Sequence, residues 1–477
     1  MYRKISLLVL SLALISCGGT KYELAEWRQT SQSSPWQDCL TDRQPIAQSQ
    51  EQPQRALCVH LDDKQQVVEG FGACFNELGW SALSDLKASD RDQIMRELFE
   101  AGVGANFNIC RMPIGANDFS LSWYSYDETP GDFDLTDFSI EHDQQNLIPF
   151  IQTALKYNPE LRIWASPWSP PTWMKSNNYY ACRPSAQWNK LAGDESYDSE
   201  GVDLFIQKPE YLEAYARYFS KFIQAYRAEG IAVFAVAPQN EFNSCQIFPS
   251  CTWTARGLND FVGKYLGPQM TRDSVQVILG TVERGNVSLI DTLLTDQYSK
   301  KYISWVGFQW AGKHAIEQTH EKYPDLRLIQ TESECGDGLN DWTQCVYIWD
   351  LMKHYFDCGA SVYEYWNIAL LDDAISTWGW HQNSLVTVDK QAQSYKYNNE
   401  YYLMKHLSRY VQRGARRVMI TDDQTNSLAF ENPDGSVVVA LYNSLDRQSS
   451  IKISVADQNF ETTMDAESFN TLVFRQI

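Results

Sequence analysis

The chain has 477 residues, 44% hydrophobic and 21% charged, an ordinary globular composition that excludes disordered, collagen-like and coiled-coil classes. Its length fits one large barrel domain or two to three domains of ~150 residues, and a body of this size buries roughly three-quarters of its unfolded surface without a cofactor or staple. With 40 Lys and Arg against 60 Asp and Glu the net charge is −20, a surface that repels phosphate backbones and argues against a nucleic-acid partner.

Arg3 and Lys4 precede an apolar run from Ile5 to Ile15. This is the pattern of a secretory signal, and it is too short to span a bilayer comfortably. The run closes on Leu14-Ile15-Ser16-Cys17-Gly18, which resembles a bacterial lipobox. Residues 1–16 are then a signal peptide and Cys17 the lipidated first residue of the mature protein; the alternative is a plain secretory signal with an incidental Cys. Dual acylation would hold a soluble domain to a membrane face through the lipid alone. No Asp follows Cys17, which points to an outer-membrane lipoprotein, periplasmic or exposed at the cell surface.

Residues 17–56, rich in Gln, Ser and Pro, read as a tether with a possible first strand. Residues 57–68 read as strand–turn–strand around Asp62-Asp63-Lys64. Beyond Cys17, ten cysteines show no CxxC and no zinc-like Cys/His spacing, so no metal or other cofactor is expected. Export would permit disulfides; Cys245–Cys251 and Cys335–Cys345 are the nearest pairs in sequence. Cys74 and Cys110 sit in apolar runs and read as buried thiols.

Over residues 69–408, short apolar runs alternate with amphipathic ones. The strand candidates are Gly70–Phe75, Asn106–Gly115, Leu161–Trp168, Ile231–Glu241, Val275–Val282, Tyr302–Trp310, Leu326–Glu334 and Ala360–Asn367. Among the helices between them, Pro209–Gly230 is clearest: Tyr211, Tyr215, Phe219, Phe222 and Tyr226 recur at three- and four-residue steps between a starting Pro and a closing Gly. Strand–helix alternation implies a parallel sheet, and eight such units imply a (β/α)8 TIM barrel. A doubly wound sheet is the alternative, but no Gly-rich phosphate fingerprint follows the first strand. Residues 409–477 change character: Ser427–Glu431, Ser436–Asn443, Gln448–Val455 and Leu472–Gln476 are short strands joined by turns such as Asn432-Pro433-Asp434-Gly435. They read as an appended all-β sandwich completed by residues 57–68.

In a TIM barrel the working residues stand at the C-terminal ends of the strands. Those ends carry Arg111 with Asn117-Asp118, then Trp168-Ser169-Pro170-Pro171, Gln239-Asn240-Glu241, Gln309-Trp310, Thr331-Glu332-Ser333-Glu334 and Tyr365-Trp366-Asn367. There is no His at these ends, no Ser nucleophile elbow and no metal cluster. Two carboxylate centres among tryptophans suit glycoside hydrolysis, in which one carboxyl donates a proton to the leaving oxygen and the other attacks the anomeric carbon or positions water. Strands four and seven face each other across an eight-stranded ring. Alternation puts Glu332 and Glu334 on one face, so periodicity does not choose between them. Each residue also has a structural reading: ion pairing for Glu241 and Arg111, core packing for Trp168, Trp310, Trp366 and Trp378. The combination carries the functional reading.

From Val67 onward the chain resembles glycoside hydrolase family 30, the group that includes glucosylceramidases. The motifs are Gly70-Phe71-Gly72-Ala73, Arg111-Met112-Pro113-Ile114-Gly115, Asp118-Phe119-Ser120, Gln239-Asn240-Glu241, Thr331-Glu332 and Tyr365-Trp366-Asn367-Ile368-Ala369-Leu370. The most specific is the run Ser166-Pro167-Trp168-Ser169-Pro170-Pro171-Thr172-Trp173-Met174-Lys175. The resemblance implies Glu241 as acid/base, Glu332 as nucleophile, Arg111 beside Glu332, and Asn240 on the sugar 2-hydroxyl. It implies Asp118, Trp168 and Trp378 around a terminal glucose, with Gln309 and Trp310 lining the pocket. Phe242 stands where Pro commonly follows Asn-Glu, and Gln309-Trp310-Ala311 departs from the glucosylceramidase pattern, so sugar and linkage stay open. The insert Asn177–Gln207, with Tyr179, Tyr180, Trp188 and Tyr197, reads either as a wall of the site or as a solvated loop. The implied activity is a retaining β-glycosidase acting on β-linked glucosides or β-glucan, most simply β-1,6-linked. The rivals are β-xylosidase, β-fucosidase and glucosylceramidase, with a non-catalytic carbohydrate-binding lipoprotein as the non-enzyme alternative.

Overall fold

The computed structural model describes residues 20–42, 56–422, 426–456 and 458–477; the expected signal peptide and Cys17 lie outside them. Eight parallel strands form a ring: β1 (Gly70–Cys74), β2 (Ile109–Pro113), β3 (Arg162–Ser166), β4 (Val233–Val236), β5 (Gln276–Val282), β6 (Ile303–Gln309), β7 (Arg327–Glu332) and β8 (Val362–Asn367). They neighbour one another in that order, with β8 returning to β1. The ring is nearly closed at β7 and β8 by one parallel bridge, Leu328 to Ala360, where Ser361 N donates to Leu328 O at 2.7 Å.

Ile109, Trp164, Ala235, Ile278, Trp305, Ile329 and Val362, from seven of the strands, pack into one buried cluster that plugs the ring interior. This apolar plug leaves the C-terminal rim for polar groups. The helix Pro209–Ala228 buries Tyr215, Phe219, Phe222 and Tyr226. Gly230, at φ 80°, ends it in the left-handed backbone that favours Gly. The fourth strand is shorter than its apolar run: it stops at Val236, so Asn240 and Glu241 stand on the loop beyond it.

A second, nine-stranded sheet forms the β-sandwich module and draws on both ends of the chain. Its order is Gln458–Met464, Ser449–Val455, Ala56–Val67, Arg416–Asp422, Asn426–Glu431, Val437–Asn443, Ser468–Gln476, Tyr22–Ser31 and Ser34–Asp38. The segment read as a tether thus contributes two strands, because Trp27 and Tyr22 bury against Val437, Leu472 and Phe474. Residues 56–67 form one strand rather than strand–turn–strand. The register jumps from Lys64 opposite Val418 to His60 opposite Met419, so Asp62 and Asp63 swell out as an exposed bulge and need no turn. Between barrel and sandwich, the buried His406 ring meets Thr471 Oγ1 and Thr30 Oγ1, each at 2.9 Å. Among the described residues no helix is long and apolar enough to cross a membrane.

Candidate active site

The C-terminal rim of the ring holds a solvent-open recess of about 540 Å³ lined by Asp118, Trp168, Asn240, Glu241, Trp310, Glu332 and Trp378, together with Gln246, Phe248, Glu283, Trp380 and Gln382. Behind this lining lies Arg111, fully buried on β2. The guanidinium donates to Glu332 Oε2 at 2.9 Å, Asn240 Oδ1 at 2.6 Å, Ser166 Oγ at 3.0 and 3.1 Å, and Gln309 Oε1 at 3.2 Å. Trp168 and Trp164 flank it, with ring centroids 4.4 and 5.0 Å from the guanidinium carbon. A planar cation with five donors fits this position; a Lys would satisfy fewer acceptors.

Gln309 joins the two glutamates. Its Nε2 lies 2.9 Å from Glu241 Oε1 and 3.3 Å from Glu332 Oε2. The second oxygen of Glu332 accepts from Trp310 Nε1 at 2.9 Å. Asn240 Oδ1 is occupied by Arg111 and by Thr281 Oγ1 at 2.9 Å, so its amide NH2 is the group left for the recess. Glu241 and Trp310 both adopt left-handed backbone, φ 46° and 47°, a conformation that costs a non-Gly residue of order 1 kcal/mol and clusters at functional sites.

Burial raises both glutamates above the ordinary carboxyl range. Against it, Glu241 is eased by Gln309 and Arg111, and Glu332 by Arg111 and the Trp310 N–H. The two sit too close to ionise together cheaply. The direct Arg111 contact favours charge on Glu332, which leaves the shared proton to Glu241. Asp118 is pushed up to about 7 by burial, with the Glu241 charge adding to it.

All the expected site residues within the described chain therefore meet at one mouth. Glu334, which alternation could not separate from Glu332, stands outside it and pairs with Lys313 Nζ at 2.5 Å and Tyr347 Oη at 2.9 Å. Trp366 is core, 1% exposed behind Trp168. Among the described residues no group of three or more His, Cys, Asp and Glu could hold a metal ion.

The sequence model of the glycosyl hydrolase family 30 TIM-barrel domain matches residues 68–411, and that of the family's β-sandwich domain matches residues 414–472. The chain belongs to glycosyl hydrolase family 30. It is a glycoside hydrolase, 28% identical over 451 residues to the lysosomal acid glucosylceramidase of Mus musculus, covering 88% of this chain and 83% of that protein. It is 26% identical over 439 residues to the endo-1,6-beta-D-glucanase BGN16.3 of Trichoderma harzianum, covering 86% and 84%. The fold is shared with SrfJ from Salmonella typhimurium, at TM-score 0.82 and 24% identity over 95% of this chain and 99% of that one. It is also shared with the endo-beta1,6-glucanase BT3312, at 0.78 and 23% over 94% and 99%.

On this family 30 scaffold the insert Asn177–Gln207 backs the recess wall. Arg183 Nη2 donates to Cys245 O at 2.6 Å, Cys182 N to Gln246 O at 3.0 Å and Asn189 Nδ2 to Ile247 O at 2.8 Å, so the insert clamps the loop that carries Gln246 and Phe248. Trp188 covers Gly379, where an added Cβ would come within 2.1 Å of its ring. Gly379 lies between Trp378 and Trp380, and Phe248 stacks on Trp378 at 5.5 Å. Tyr179 and Tyr180 instead pack on Trp123, and Tyr197 is exposed.

Cys245, Cys251, Cys335 and Cys345 are free thiols, so neither expected disulfide is present. Nearness in sequence was a poor guide because a bridge needs matched Cβ vectors. Cys335 Sγ turns to Ser333 O at 3.1 Å, while Cys345 is buried on the helix Trp342–Asp357. The recess residues that sequence reasoning missed are Gln246, Phe248, Glu283, Trp380 and Gln382. Glu283 had a usable signal, since it directly follows Val282 at the end of the fifth strand. The others sit on loops without periodicity.

Proposed function

We propose that the chain is a retaining β-glycosidase that cleaves β-linked glucosides and β-1,6-linked glucan. Glu332 attacks the anomeric carbon to form a glycosyl ester. Glu241 protonates the departing oxygen and, as its carboxylate, then takes a proton from the water that hydrolyses the ester. One observation carries this reading: a single Gln309 nitrogen touches both carboxyls, at 2.9 and 3.3 Å. Those two bonds hold one oxygen of each carboxyl within reach of a single amide nitrogen, the close approach that a retaining pair needs. Arg111 favours the ionised form of Glu332 against its burial, and the Asn240 amide, its oxygen already taken, is left to meet a sugar 2-hydroxyl, a contact that would gain strength in the transition state. The β-1,6 preference is supported by the endo-1,6-beta-D-glucanases among the relatives. The proposal includes export and a lipid anchor on Cys17 in the outer membrane, supported by the residue 1–18 pattern alone.

The test is hydrolysis of a panel of β-linked glucose disaccharides with aryl β-glucoside, xyloside and fucoside, followed by proton NMR of the first-formed sugar. A β-anomer and a preference for the 1,6 linkage are expected. An α-anomer as first product would overturn the double displacement, and near-wild-type turnover by Glu332→Ala or Glu241→Ala would remove that residue from its role. Labelling with a radioactive fatty acid, lost in Cys17→Ala, checks the anchor.

A further inference from the structure

Glu283 is a third glutamate in the recess beside Glu241 and Glu332, and double displacement gives it no task. It directly follows β5. A line from Glu241, beyond β4, to Glu332, at the end of β7, cuts the rim into two arcs. The longer arc runs through β8, β1, β2 and β3 and carries Trp378, Asp118 and Trp168, two apolar rings and a buried carboxyl that together suit the terminal sugar. The shorter arc runs through β5 and β6 and carries Glu283 and Trp310. The leaving group must lie against the acid/base yet away from the terminal sugar, which leaves it the shorter arc.

A carboxylate there is costly to keep. Burial, and the Glu241 charge after it, push the Glu283 carboxyl up to about 8, with Arg284 as the main relief. The Arg284 guanidinium pairs with Glu283 and reaches Glu200 of the insert at 3.4 Å, so Glu283 is held from outside while its side chain, 14% exposed, borders the recess. An acyl chain laid against this group would strip its water without replacing it. A sugar would replace that water with hydroxyl donors, and Trp310, which lines the same recess, offers its ring a flat apolar face.

We infer that Glu283 recognises the hydroxyls of a leaving-group sugar, so that this site selects glycan over glycolipid. The inference rests on the proposed glycosidase reading and goes beyond it by fixing the leaving-group class. The experiment compares kcat/KM of wild type, Glu283→Leu, Glu283→Gln and Arg284→Ala on a β-1,6-linked glucose disaccharide and on octyl β-glucoside, with an aryl β-glucoside as common reference. Wild type is expected to prefer the disaccharide. Glu283→Leu should cut the disaccharide-to-octyl ratio by ten-fold or more, Glu283→Gln by less than Glu283→Leu, and Arg284→Ala, which removes the cation that holds and relieves the Glu283 carboxyl while leaving the carboxyl in place, by an intermediate factor. An equal fall on all substrates, or a wild-type preference for the octyl glucoside, overturns the inference while leaving the glycosidase reading intact. Failure of wild type on every β-glucoside overturns both. Because Glu283→Leu could fold poorly, the ratio in Arg284→Ala decides independently: no change there also counts against it.

Discussion

Replacing Arg111 with Met removes the guanidinium that touches Glu332 at 2.9 Å and leaves a side chain of similar reach. Two opposite unit charges about 4 Å apart, at an effective dielectric of ~20, attract by about 4 kcal/mol. That is about three pKa units on the nucleophile. Water entering the gap offsets part of it, so the acid limb of kcat/KM, which reports the free enzyme's essential carboxylate, should move up by about two units. Glu332 would then take up its proton at a higher pH than in the wild type. Taking up that proton also limits the folding cost, which for an unpaired buried charge would reach ~3–5 kcal/mol. The assay is a pH–rate profile on an aryl β-glucoside for wild type, Arg111→Met and Arg111→Lys, with melting temperatures alongside. Arg111→Lys should keep the limb within about one unit while losing rate, because it keeps the charge but loses the fork that also holds Asn240 and Ser166. An acid limb that stays within half a unit of wild type in Arg111→Met would refute the assignment of Arg111 as the group that ionises Glu332.

Three further outcomes are expected. Glu241→Ala should lose far more rate on a disaccharide than on an aryl glucoside whose leaving group needs no proton, measured as the ratio of kcat/KM values; equal losses would argue against the acid role. Burial pushes His406 down to about 3. An unfolded His takes up its proton near 6.5, so between those values the unfolded chain binds more protons and stability falls as pH drops, by about 4–5 kcal/mol in full. His406→Gln should therefore melt at pH 4 nearer to its own pH 7 value than wild type does, as read by thermal scans at the two pH values. Gly379→Ala places a Cβ within 2.1 Å of the Trp188 ring, at a backbone φ of 85°. It should raise KM more than it lowers kcat, since Trp378 and Trp380 border the sugar rather than the reacting bond.

The barrel was legible because each of its strands is a short apolar run between amphipathic helices, and the ring needs little else. From strand positions alone the rim was legible only on or just past the strands, as at Arg111, Asn240-Glu241 and Glu332, while the loop residues Asp118 and Trp378 came from the family resemblance. Loops carry no period, so Gln246, Phe248, Trp380 and Gln382 left no trace. The N-terminal strands were hidden for another reason. Tyr22–Ser31 pairs with Ser468–Gln476, at the opposite end of the chain, and its polar edge residues look like a linker until that partner is known. The insert stayed ambiguous because its contacts with the site are a Trp lying over a Gly and hydrogen bonds to loop carbonyls, which neither segment announces alone.

The choice between Glu332 and Glu334 shows where the chemistry resides. Both are acids near the end of the same strand, and each has a cation: Arg111 for one, Lys313 for the other. What differs is the neighbourhood. Glu332 shares its mouth with Asp118, Glu241 and Glu283, and burial raises all four. A crowd of buried carboxyls near neutral pH holds protons collectively, because each ionisation makes the next more costly. In such a crowd the group that stays charged is set by contact with a cation more than by its own acidity. Arg111 makes that contact with Glu332, and Arg284 makes it with Glu283 at the rim, while Glu241, bridged by the neutral Gln309, is left holding the proton that a departing oxygen needs. On the proposed mechanism, the division of labour between acid and nucleophile therefore follows from where two arginines are placed, and raising the pH should end activity by stripping Glu241 of its proton before any change in the fold.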